Sequence, residues 1–429
     1  TSNNAVGKQA LTANTTATGN NALGMQALFS NTTGAQNTAI GHNALQQNTT
    51  ANYNTACGNQ ALEQNTTGTQ NVAVGAFALD ANTTAGNQTA LGYNALSAAT
   101  TGSGSNTAVG SNALAVNTTG AFNAAFGQAA LQSNTTASSN TALGRFTLPN
   151  NTTGSQNTAV GRNALAANTE ASNNTAVGYV ALTSNTTGAE NVAVGSNSLT
   201  TNTSGANNTA IGRESLEANT TGGQGVAVGR KALESNTTGS NNTAVGHFAL
   251  GVNTEGGNNV AIGRSALAAN TTASNNTAVG YFTATSNTTG SSLTAFGQGG
   301  LQNNTTGDNN TSVGNGALQQ NTTADNNTAV GKSALTANTT GARNVAVGSL
   351  ALDANTEGGD HAAVGYSALG ANTTGIRSTA LGFSALNVNT TGGRNVGVGY
   401  GALAANTTAS YNTAVGNEAL VANTTGSAN

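Results

Sequence analysis

Residues 239–250 read Gly239-Ser240-Asn241-Asn242-Thr243-Ala244-Val245-Gly246-His247-Phe248-Ala249-Leu250, and close variants of this stretch lie 17 residues to either side. Gly246 belongs to a series that starts Gly7, Gly24, Gly41, Gly58, Gly75, Gly92 and, after one additional residue near 103–106, continues through Gly110 and Gly127 to Gly416. The series defines 25 copies of a unit typified by N-T-A-V-G-Y-N-A-L-S-A-N-T-T-G-S-N, covering essentially all 429 residues. A period this short implies coils stacked on their neighbours, so the expected architecture is all-β: a parallel β-solenoid (β-roll) forming one repetitive rod over residues 1–429. Because the chain begins and stops inside a unit, it is expected to be a piece of a longer polypeptide.

Position by position, the unit separates into columns. The residue before each glycine is apolar, as in Val6, Leu23, Ile40, Val74, Phe126, Ile262 and Val415. Two before it stands Ala in all copies except Ser312 and Gly397, and three before it usually Thr or Val. This is a short strand by alternation and propensity. Four after the glycine comes Leu in every copy except Ala284, usually preceded by Ala, and that A-L pair reads as a second short strand. The expected core is therefore one Val-type and one Leu-type column lined by Ala. Two apolar strand faces imply two buried sides, the roll interior and a contact with another chain. Asn-Thr-Thr reads as a turn: Thr fills its second place in all 25 copies and Asn its first in all but Ala99. Asn suits left-handed backbone, and stacked Asn can also form an amide ladder. Helix loses, because Gly and β-branched residues interrupt every unit.

Composition alone would suggest disorder, since charged residues are 6% of the chain and Trp is absent; the fixed columns argue against it. A net charge of −3 over so many residues gives no reason to expect nucleic acid or an anionic membrane as partner. No run is apolar enough for a membrane span and no signal peptide is visible, so no membrane insertion is expected. Cys57, the only cysteine, stands in the Val-type column and reads as a small buried hydrophobe.

The stretch from Gly239 to Leu250 resembles the N-S-V-A-I-G-x-x-A repeat of trimeric autotransporter adhesin heads of the YadA-like type, and is similar to repeats of phage and bacterial tail-fibre-like proteins. The likeness runs through all 25 units. It implies a left-handed parallel β-roll with three chains side by side, a homotrimer. The unit here is longer than the adhesin repeat, so Asn-Thr-Thr-Gly is read as an extended turn.

No catalytic, cofactor-binding or metal site is expected, and no enzyme. His42, His247 and His361 are far apart in the stack, and the acids sharing a column (Glu63, Asp80, Glu217, Glu234, Asp353) seldom occupy adjacent coils. Glu217 and Glu234 do, and read as a solvated pair needing counter-charge. No nucleophile-elbow, zinc-helix or phosphate-loop motif occurs. Seven of the 11 Lys and Arg residues directly follow a repeat glycine (Lys8, Arg145, Arg162, Arg213, Arg230, Arg264, Lys332), sharing that column with Tyr93, Tyr179, Tyr281, Tyr366 and Tyr400. That edge is either a glycan- or protein-binding surface, a permissive exposed turn, or a line of inter-chain contacts across an axis. N-glycosylation acceptors occur in 21 of 25 units, for example Asn31, Asn202 and Asn423, whereas Asn168, Asn253 and Asn355 keep Asn-Thr without the acceptor, which favours a structural role. The expected function is an extracellular, cell-surface or virion-surface fibre segment, with self-association into a homotrimer or filament. The alternative is an ice- or crystal-binding solenoid using Thr ranks; a polysaccharide lyase ranks third.

Overall fold

The structure is a computed structural model that describes residues 2–102 and 104–429. Ser103, within the one-residue insertion, lies outside the described residues. The chain forms two compact units, Thr1–Arg213 and Glu214–Asn429. Each is an all-β parallel solenoid: the first carries β1 (Asn4–Val6) to β13 (Thr209–Ile211), the second β14 (Val226–Val228) to β25 (Thr413–Val415). There are about 24 turns of roughly 17 residues and no helix among the described residues.

Every strand is three residues long, and within each unit the strands pair in register from coil to coil. Thus Thr243 faces Val260, Ala244 faces Ala261 and Val245 faces Ile262. Across the insertion the pairing is still Thr89 to Thr107 and Ala90 to Ala108, so the additional residue is absorbed without shifting the register. Inter-coil bonding continues beyond the strands at alternate residues: Gly41 N–H donates to the Leu23 carbonyl (2.8 Å), Leu45 N–H to Ala61 (3.0 Å) and Thr49 N–H to Thr66 (3.2 Å). The repeat glycines stack directly. A Cβ on Gly246 (φ +133°) would lie 2.6 Å from the Gly263 carbonyl oxygen, so neither the conformation nor the space admits a side chain.

The expected second strand at Ala-Leu is not formed. Ala249 N–H bonds the Gly246 carbonyl (3.4 Å) and Asn253 N–H bonds the Leu250 carbonyl (3.2 Å), making two successive turns. Phe248 (φ +57°) and Leu250 (φ +50°) are left-handed, and the pattern recurs coil after coil. An extended strand would send Ala249 and Leu250 to opposite faces. The turn instead buries both completely. Left-handed Leu costs about 1–2 kcal/mol, which burial of the side chain at roughly 1.5–3 kcal/mol offsets.

The expected core also needs correction. Ala244 and its column, with Ala159, Ala176, Ala193 and Ala210, face the roll interior and are wholly buried against Leu. The Val-type column faces outward with the Thr or Val two residues earlier: Ile262 is 40% exposed and Leu143 49%. Inside so thin a coil, Leu from the turn fills the space and leaves room opposite only for a methyl. Cys57 follows its column outward and is half-exposed, not buried.

Two asparagine ladders complete the interior. In Asn-Thr-Thr, Asn48 Nδ2 donates to Asn31 Oδ1 (2.8 Å) and to the Ala51 carbonyl (3.1 Å), and the pattern repeats coil by coil. These Asn are not left-handed; Phe248, Leu250 and Asn258 are the left-handed positions of their coil. A second column, four before the glycine and Asn in most coils, accepts backbone N–H: Asn54 N–H donates to Asn37 Oδ1 (2.9 Å) while Asn54 Nδ2 bonds the Gly68 carbonyl (2.9 Å). Buried amides so satisfied stabilise rather than penalise the interior.

Candidate functional site: the aromatic and cationic edge

The turn after each repeat glycine turns its first two residues away from the core, which sets up the most chemically varied edge of the molecule. The column immediately after the glycine holds the seven cations singled out in the sequence and none of the 14 acids. In unit 1 it brings Arg145 and Arg162 onto successive coils, with Arg145 over Phe146 at 4.5 Å and Arg162 over Tyr179 at 6.0 Å. In unit 2 Arg230, His247 and Arg264 follow one another, and Arg264 lies 5.8 Å from the Tyr281 ring centre. Tyr366, Phe383 and Tyr400 form a continuous stack with ring centres 5.3 and 5.4 Å apart. Lys8 and Lys332 sit apart from these groups, and Arg213 closes unit 1.

Several residues that sequence reading passed over make a second edge, twelve residues after the glycine in each unit's repeat. Arg343 Nε donates to Asp360 Oδ1 (2.7 Å), and Arg377 approaches the other oxygen at 3.5 Å. The Arg343 guanidinium holds the Asp360 carboxyl below the usual carboxylate range. Arg394 donates to the Tyr411 hydroxyl and lies over its ring. Their spacing of 17 was the available signal.

Glu217 and Glu234 are not simply solvated. With Glu214 they bring three carboxylates within 4.8 Å of one another. Lys231 supplies the counter-charge, 2.7 Å from Glu234 and 3.5 Å from Glu214. Hydrogen bonding to Glu234 raises the Lys231 pKa. Asp80 and Asp353, in the column of Glu63, are half-buried, and burial raises their pKa.

The three histidines stand apart. His42 Nδ1 meets Asn59 Oδ1 at 3.2 Å and His247 packs on Phe248. His361 occupies the second Asn column, 2% exposed. Its Nδ1 accepts from Ser378 N–H (3.2 Å), so Nε2 carries the proton and donates to the Gly375 carbonyl (2.6 Å). That pattern requires the neutral ring, and burial lowers its pKa.

The glycosylation acceptors are closed off in the folded chain. Asn31 and Asn202 are wholly buried, with Asn31 Nδ2 donating to the Gly34 carbonyl and Asn202 Nδ2 to Asn185 Oδ1. Asn423, in the last coil, is only partly covered. Two shallow clefts indent the surface: one of about 130 Å³ beside Tyr281, and one of about 260 Å³ beside Arg394 and Tyr411. No helix is long and apolar enough to cross a membrane.

No protein-family model matches the chain, and no curated protein sequence matches it significantly.

Proposed function

We propose that the chain is a segment of an extracellular structural fibre, of the adhesin-head or tail-fibre kind its repeat resembles, that self-associates through its outward strand face. The observation behind this reading is the in-register stack: coil after coil repeats the same backbone bonds and, outside the coil of Ala99, the same Asn-Thr-Thr amide ladder, which favours stiffness and resistance to proteolysis over conformational change. Stiffness along one axis suits a spacer that displays an edge repeatedly.

The outward strand face supports self-association. Its two columns, Thr or Val and then Val, Ile, Leu or Phe, contain no charged residue from Asn4 to Val415. Strands of three residues stacked about 4.8 Å apart give unit 1 alone a face roughly 10 Å by 60 Å, about 600 Å², the lower end of the ~600–1,000 Å² per partner of a stable interface. A surface with a one-coil period is matched along its length only by a partner with the same period, which is another copy of the chain. A homotrimer is the arrangement proposed. Sedimentation velocity and electron microscopy test it: rods three chains thick support the reading, and a monomer at high concentration overturns it. Replacing outward Val228, Val245 and Ile262 by Lys should release monomers while each chain keeps its fold.

The alternative, an ice- or crystal-binding solenoid, draws on the same face, where Thr stands in 15 of 25 coils. The Asn-Thr-Thr ranks do not supply it. Thr32 Oγ1 already donates to the Thr49 carbonyl (3.1 Å), which leaves only the second Thr exposed. Thermal hysteresis at micromolar protein would replace the fibre reading with this one.

A further inference from the structure

We infer that the cleft beside Tyr281 is a binding subsite for a neutral hexopyranose unit of a glycan. The inference deepens the fibre reading by naming what one stretch of its edge recognises.

The cleft exists because of a local departure from the repeat. The second residue after the glycine is left-handed throughout, yet Gln26, Asn43, Phe77, Asn94, Lys231 and Leu350 all adopt that conformation with a side chain. The backbone therefore does not require glycine there. Gly299 (φ +65°) and Gly316 (φ +65°) nevertheless occupy it on two successive coils, the only adjacent pair in this column. A Cβ on Gly316 would meet nothing closer than 3.7 Å. Removing two neighbouring side chains hollows the edge to about 130 Å³, close to the size of one sugar ring.

The walls match a hexose. Tyr281 and Phe282 form an edge-to-face pair with centres 4.3 Å apart on one side. Arg264 lies on the preceding coil, 5.7 Å from the Phe282 ring centre, whereas the hollow lies on the following coils. The cation therefore backs the aromatic pair and leaves its other side to a ligand. An aromatic surface suits the apolar C–H face of a pyranose, and planar amides suit its hydroxyls. Four amides provide them in two half-satisfied pairs. Asn315 Nδ2 donates to Gln298 Oε1 (3.3 Å) and Gln319 Nε2 to Gln302 Oε1 (2.9 Å). Gln298 Nε2, Asn315 Oδ1, Gln302 Nε2 and Gln319 Oε1 have no hydrogen-bond partner among the described residues, giving two donors and two acceptors around the hollow. No carboxylate or ammonium lines the cleft, which selects a neutral sugar over a charged one. An all-equatorial β-linked glucose has the flattest apolar face of the common hexoses and is the natural probe.

The test is saturation-transfer NMR and calorimetry of the full chain with cellotriose. Weak binding is expected, with saturation strongest on the ring C–H protons. The double change Gly299→Asn and Gly316→Asn restores a residue that sits at this position in many sibling coils, so it fills the cleft without disturbing the fold. It should weaken cellotriose binding at least tenfold, as should Tyr281→Ala. Absence of saturation transfer in the wild type, or undiminished binding in the glycine-to-asparagine double variant, overturns the inference. Soluble sugar binding does not depend on assembly: rods that assemble but ignore cellotriose overturn the subsite and leave the fibre standing.

Discussion

In the coil from Gly246 to Gly263, Asn253 Nδ2 donates to Asn236 Oδ1 (2.8 Å) and to the Gly256 carbonyl (2.9 Å), and Asn259 N–H meets Asn242 Oδ1 at 3.0 Å. In the coil from Gly92 to Gly110, Ala99 stands where Asn253 stands, and the additional residue follows it. The coil below pays twice: Asn82 Oδ1 is buried without a donor, and Gln88, in the second Asn column, has an unpartnered Nε2. A Cβ on Gly102 would meet nothing within 4 Å, whereas one on Gly256 would strike the Ala273 carbonyl at 2.2 Å. Register survives in both coils, yet tight closure survives in only one. Strand pairing therefore sets the alignment of a coil, and the asparagine ladder sets how firmly its turn is held.

The largest expected effect concerns what the two coils share. Leu250→Asp would bury an unpaired charge and should cost about 4 kcal/mol or more, whereas Val245→Asp, on the outward face, should cost the fold of the separated chain under about 1 kcal/mol. Amide hydrogen exchange around each position reads the difference, and equal losses would refute the inside–outside assignment. Next comes a transplant of the defect. Asn253→Ala removes three hydrogen bonds, two donated by Nδ2 and one that Oδ1 accepts from Asn270 Nδ2, and orphans Asn236 Oδ1, for a local cost of about 3 kcal/mol, seen as faster exchange and a new protease cut near residue 253. The reverse change, Ala99→Asn, supplies a donor to Asn82 Oδ1 and should recover about 1 kcal/mol. Limited proteolysis of the parent should cut first within residues 99–102, and this variant should slow that cut.

His361 gives the smallest effect, tied to pH. Its folded pKa is lowered by burial, so protonation favours the unfolded state. Local stability is full above the unfolded value of about 6.5 and falls as pH drops from there through the depressed folded value. Protonated Nδ1 can no longer accept from Ser378. His361→Asn restores the column residue and should remove the acid sensitivity of exchange at Ser378, while Asn344→His should create a second acid-sensitive point.

The period, the parallel stacking and the ladder were legible because each is a column property, and 25 copies average away the noise of any one coil. Which strand face points inward was not legible. Alternation shows that Ala244 and Val245 lie on opposite faces, but the bulkier residue looked like core, and only ring closure reveals that the interior has room for Ala. The A-L turn was hidden for a related reason: nothing local marks Leu250 as left-handed, since burial from across the coil overrides its own preference. The cationic column after each glycine was visible, whereas the hollow beside Tyr281 was not. It depends on Gly299 and Gly316 being adjacent in space, and each looks ordinary in a glycine-rich chain.

The glycine-on-glycine contact has a genetic consequence. Each coil meets the next through the same backbone surfaces, so deleting or duplicating one whole unit joins two faces that already fit. Misaligned recombination between the tandem copies removes or adds 17 codons at a time and yields a foldable product, shorter or longer by about 4.8 Å per unit. An insertion of any other size adds residues that have no counterpart in the neighbouring coils. Length in such a protein is a trait that can drift in equal steps without passing through a misfolded intermediate.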